Sequence, residues 1–119
     1  MAKLMTVTQV CSAEVIAKSA VFTSEPFMVE RAANFSLMVT DFAGTTPDGI
    51  TVTYSVCTSK DGTFIVPAGA TAIFTALKTT GVANFSPVMA PFIKFIITNL
   101  DATDGVTIST KFIHQESVS

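Results

Sequence analysis

The sequence predicts an all-β chain, folded as one antiparallel β-sandwich of about eight strands with a jelly-roll-like course. Three observations carry that expectation. The apolar residues recur with period two, in short runs rich in Val, Ile, Thr and Phe. Turn residues interrupt these runs at roughly ten-residue intervals, the spacing of sandwich strands. Helix-forming periodicity is almost absent, and 119 residues suffice for one core without room for a second, so residues 1–119 read as a single domain.

In chain order, strands are predicted over Lys3–Val10, Val15–Thr23, Asn34–Thr40, Ile50–Thr58, Thr63–Val66, Thr71–Lys78, Phe92–Thr98 and Val106–Ile113. The fourth is the clearest. Ile50, Val52, Tyr54 and Val56 share one face, while Thr51, Thr53, Ser55 and Cys57 share the other, as a half-buried strand requires. Ser12 could cap a helical turn over Ser12–Ala20, with Glu14 and Val15 following, but the segment is read as strand. Gly81–Pro91 reads as a long ordered loop, because proline is excluded from central strands. Asp48-Gly49, Asp61-Gly62 and Asp104-Gly105 read as tight turns, since Asp-Gly supplies positive φ angles. In Phe92–Thr98, Ile93, Phe95 and Ile97 lie on one side, yet Phe92 and Ile96 lie on the other with only Lys94 between them. A strand apolar on both sides lies between layers or at a subunit interface.

Polarity is the unusual property. Hydrophobic residues make up 49% of the chain and charged ones 13%, against about 25% charged in an average soluble domain. The uncharged stretches are broken by Pro67, Gly69, Gly81, Pro87 and Pro91, so no membrane-spanning helix of about 20 residues is predicted. After Lys3 the chain alternates with Thr and Gln, unlike the apolar core of a signal peptide. The excess apolar surface is therefore expected to be covered by other subunits. Seven basic residues scattered singly, with a net charge of −2, offer no stripe for a phosphate backbone, so no nucleic acid is expected as partner. Without a secretion signal, Cys11 and Cys57 are expected to be free, packed thiols.

No catalytic constellation stands out, and no enzymatic activity, cofactor or metal is expected. His114 is the single histidine, and nothing near it in sequence resembles a nucleophile with an orienting carboxylate. One His and two distant Cys fall short of a zinc ligand set. Asp101 and Asp104 are the closest acidic pair and fit a solvated turn better than a calcium loop, which gathers several carboxylates around a glycine. Glu14, Glu25, Glu30 and Glu116 are isolated, and the six glycines are spaced as turns. Ten Phe with one Tyr and no Trp point to a core plus a dry interface, about two-thirds of the rings being core.

The order NFSLMVTDFAGTTPDGITVTYSVCTSKDGTFIVP, a glycine-containing loop, then APFIKFIITNLDATDGVTISTKFIHQ resembles small β-sandwich virion proteins of tailed bacteriophages. In that group a serine-rich Asp-Gly turn precedes an aromatic, and a proline-aromatic pair leads into a strand bearing a basic residue and ending at an asparagine turn. The matching residues are Ser59, Asp61, Gly62 and Phe64, then Pro91, Phe92, Lys94, Thr98 and Asn99, over roughly the last 85 residues. The motif reflects hairpin chemistry that extracellular binding modules also use, and the first thirty residues match nothing in the group.

The resemblance implies a capsid decoration (cement) or head accessory protein, located in the virion after assembly in the host cytoplasm. Its partners would be further copies, as in a trimer or other homo-oligomer, and the major capsid protein. Interface candidates are the apolar residues of loops and ends: Leu4 and Met5, then Phe27 and Met28, then Phe85, Val88, Met89 and Phe92. Three other readings stay open: a glycan-binding module of a fibre or secreted protein, a tail or baseplate component, and a small enzyme dependent on His114.

Overall fold

A computed structural model describes residues 2–29, 32–44, 47–69 and 72–118. It is all-β: β1 (Ala2–Ile16), β2 (Val21–Thr23), β3 (Phe27–Met28), β4 (Ala32–Ala43), β5 (Ile50–Cys57), β6 (Phe74–Leu77), β7 (Gly81–Phe85), β8 (Phe92–Asn99) and β9 (Val106–Val118). One sheet has the order β1-β9-β4-β7, the other β2-β8-β5-β6 with β3 also on β8, and every described pairing is antiparallel.

β2 and β3 are halves of one edge strand. Both pair with β8, at Thr23 opposite Ile96 and Phe27 opposite Ile93. Between them the Ser24 N–H donates to the Phe95 carbonyl and the Ser24 hydroxyl accepts the Phe95 N–H, each at 2.9 Å. Pro26 has no N–H to continue the ladder, so the edge breaks. Counted as one strand, β2 and β3 leave eight, and these nest: β1 pairs with β9, β2/β3 with β8, β4 with β7 and β5 with β6. Nested pairing over two sheets is the course of a jelly roll, as the sequence predicts.

The core follows from alternation. Along β8 the residues alternate strictly, with Ile93, Phe95, Ile97 and Asn99 buried. Ile50, Val52 and Tyr54 of β5 join them, facing Leu37 and Val39 of β4 and Ile108 and Phe112 of β9. Eight of the ten phenylalanines lie in this core or against it, more than the two-thirds expected. The folded surface is 6596 Å², near the ~6,000 Å² that mass alone predicts. The small excess fits an elongated body of 49 × 28 × 23 Å.

Four expectations need correction. Val15–Thr23 is two elements, because β1 continues to Ile16 and a turn with Ser19 at φ 56° precedes β2. Gly81–Pro91 is a loop only in its second half. Gly81–Phe85 forms β7, whose register (Met38 opposite Val82, Phe35 opposite Phe85) is supplied by β4 and not by its own composition. Thr63–Val66 is no strand: Ile65 makes one reciprocal bridge with Val56, at 2.9 Å in both directions. Nor do two of the three Asp-Gly pairs close hairpins; Asp61-Gly62 alone lies in a reversal between antiparallel partners, Val56 and Ile65. Asp48-Gly49 and Asp104-Gly105 carry the chain between the two sheets, and of the three glycines only Gly49 has a positive φ, +79°. Asp-Gly encodes a reversal, but which strands it joins is decided by sheet pairing.

Candidate functional site

The strand registers bring the predicted contact residues of β1, β3, β7 and β8 to the same half of the sandwich. Leu4 lies opposite Glu116, and Asn34 opposite Gln115, where β4 begins. Across the sandwich, Met28 lies opposite Phe92, and Cys57, the last residue of β5, also lies opposite Phe92. The β7–β8 connection, Ser86–Pro91, runs over this end between Phe85 and Phe92.

Hydrogen bonds from β5 and from the segment after β3 hold that connection. The Val88 N–H donates to the Tyr54 hydroxyl at 3.0 Å, and the Val29 N–H donates to the Pro91 carbonyl at 2.8 Å. Pro87 and Pro91 fix two further φ angles. The result is an anchored apolar ridge with Met89 at its crest, 98% exposed. Shallow grooves of about 430 and 540 Å³ share Val88, Met89 and Ala90. Val29, Phe35 and Pro91 help to line the first, Val56, Ile65 and Pro67 the second, and among the described residues no charged side chain lines either.

Of the predicted contacts, Leu4, Met5, Met28, Val88 and Met89 are exposed. Phe92 is half-buried on the outer face of β8. Phe27 and Phe85 are half-buried, with their rings packed against the core. Phe27 sits 5.9 Å from Phe95 and 5.8 Å from Phe112, and Phe85 lies 5.9 Å from Phe95 and 6.1 Å from Tyr54, centroid to centroid. Being apolar and near a loop did not distinguish a ring that plugs the sandwich from one that projects from it. Tyr54 was missed as an organiser, although a lone Tyr in an otherwise aliphatic strand face signals a hydroxyl in search of a partner.

The opposite end is built from polar bonds. Asn99, 1% exposed, donates its amide to the carbonyls of Ile16, Ala17 and Asp104, at 3.2, 3.2 and 3.0 Å, and accepts the Asp101 N–H at 3.1 Å. Asp101, 2% exposed, accepts from the Thr103 N–H and hydroxyl, both at 2.8 Å, and from the Asp104 N–H at 3.1 Å. These donors, the Thr103 N–H foremost, hold its carboxyl below the usual Asp range against the opposing effect of burial. The Asp101/Asp104 pair is thus the frame of a turn.

The other candidates are dispersed. His114 is buried in β9 with its ring 4.9 Å from that of Phe112. Cys11 is buried in β1, where burial raises its thiol pKa, and Cys57 lies in the other sheet; both are free thiols. Lys94 stands 4.4 Å over the Phe64 ring, fastening the β5–β6 excursion to the outer face of β8. Among the described residues, no group of three or more His, Cys, Asp or Glu is placed to hold a metal ion.

No protein-family model matches the chain, and no curated protein matches it either. Among solved structures, the chain is similar to one described as "Crystal Structure of FLHE", at 11% identity and a TM-score of 0.45, covering 98% of this chain and 97% of that one.

Proposed function

We propose that this chain is a non-enzymatic structural subunit that packs its apolar end against a larger assembly. In the reading its sequence resemblance favours, it is a capsid decoration or head accessory protein on the major capsid protein of a phage. One observation carries the proposal: an anchored ridge, crested by a fully projecting methionine, flanked by grooves that no charged side chain lines among the described residues. Methionine is the most adaptable apolar side chain for filling a partner's surface. Burying one contributes about 1.5–3 kcal/mol, and repetition over symmetry copies turns modest single contacts into durable attachment.

A glycan-binding role has less support, because the single Tyr is buried and most Phe rings belong to the core. A tail or baseplate position uses the same packing physics. Electron microscopy of purified particles separates head from tail directly. Met89→Asp is expected to leave the fold intact and to abolish attachment to particles. Undiminished attachment by that variant refutes the apolar end as the docking surface.

A further inference from the structure

We infer that β1 is a self-pairing edge, through which a second copy of this chain adds its own β1 antiparallel about a two-fold axis, joining two four-stranded sheets into one of eight. This deepens the subunit reading and rests on it only in taking another copy as the partner.

A sheet edge presents unpaired N–H and C=O groups, and folded proteins blunt their edges to avoid unwanted pairing. Three of the four edges here are blunted. β2/β3 is broken at Pro26. β6 has four residues, with Ala76 at φ 53° and a shift in its register against β5. β7 has five residues and begins at a glycine. β1 is different, at 15 residues. Its second half is disrupted by register shifts between Gln9 and Glu14, with Ala13 at φ 48° and its N–H turned to the Ser109 hydroxyl at 2.9 Å. Its first half, Leu4–Val10, pairs with β9 without a break up to Gln9. It contains no charge, Pro or Gly, and alternates Thr with Val, Met and Gln, a composition suited to pairing.

The same stretch is self-complementary. About a two-fold axis normal to the sheet, opposed residues must share a face, so residue numbers of each pair sum to an even value. Placing Val7 opposite its own copy uses all seven residues: Thr6 meets Thr8, Met5 meets Gln9, and Leu4 meets Val10. No like charges are opposed, and Thr-Thr and aliphatic pairs are favourable cross-strand neighbours. On the outer face Val7 (55% exposed) lies beside Ile113 of β9, in a row that runs on to Ser36 of β4 and Asn84 of β7.

Sedimentation over a concentration series is expected to show a dimer or an even-numbered assembly of dimers. Val7→Lys, which faces a charge with itself across the axis, is expected to weaken self-association at least ~10-fold, while Val7→Thr preserves it. In a Cys57→Ser background, Val7→Cys is expected to form a disulfide-linked dimer on mild oxidation, because opposed residues of a strand pair lie within disulfide reach. Val15→Cys, more exposed than Val7 but beyond the bulges, is expected not to. A monomer at all concentrations, a trimer, undiminished association of a folded Val7→Lys, or equal cross-linking at both positions overturns the inference. Particle attachment reports separately: a two-fold dimer that never joins particles keeps this inference and sinks the subunit reading, and the reverse result does the opposite.

Discussion

The two ends of the sandwich are finished in opposite ways. At one, buried polar groups bond to the chain around them: Asn99 ties together the ends of β1 and β8 and the turn before β9, and Asp101 ties that turn to itself through one carboxylate oxygen. At the other, the backbone is anchored by Tyr54 and Val29, but the side chains above it are apolar and face outward. Those polar bonds are made within one chain. An apolar ridge gains its hydrophobic free energy only when something covers it. The first end should therefore govern stability and the second association.

That division can be broken, starting where the effect should be largest. Asn99→Ala strands several buried carbonyls and the Asp101 N–H, and is expected to cost about 3 kcal/mol in denaturant unfolding with attachment unchanged in the folded fraction. Gly49→Ala is next. Its φ of +79° disfavours any Cβ, and that Cβ would meet the Ala76 carbonyl carbon at 2.6 Å, so a loss of about 2 kcal/mol is expected. Tyr54→Phe removes the anchor of the ridge and is expected to cost about 1 kcal/mol. Unlike the two changes before it, it should also weaken particle attachment.

Acid sensitivity sharpens the contrast. Asp101 has its carboxyl pKa lowered in the folded state, so its stabilising contribution is complete above the ordinary Asp range, about pH 4. It is lost as pH falls from there through the lowered folded value. Asp101→Asn should flatten the pH dependence of the denaturation midpoint in that window and nowhere above it. Met89→Asp completes the series. At a residue 98% exposed it should shift stability by no more than about 0.5 kcal/mol while removing attachment. A large stability loss from Met89→Asp, or an association defect from Asn99→Ala, would show that the two ends do not divide these roles.

Much of this architecture is readable in the residues. Period-two alternation determined β5 and β8, including the burial of Ile50, Val52, Ile93, Phe95 and Ile97, because side-chain direction in a strand is a local property. Low charge determined that apolar surface would remain outside, since one small core cannot absorb it all. Pairing was not local. β7 looked like loop because Pro87 and Pro91 follow it closely, and it is β4 beside it that holds Gly81–Phe85 extended. The sheet-to-sheet crossings at Asp48-Gly49 and Asp104-Gly105 likewise depend on partners distant in sequence. The inward turn of Phe27 and Phe85, the outward projection of Met89 and the one unblunted edge at β1 were decided by tertiary structure alone. Composition sets how much apolar area must be hidden, whereas which atoms hide it depends on neighbours that only folding brings together.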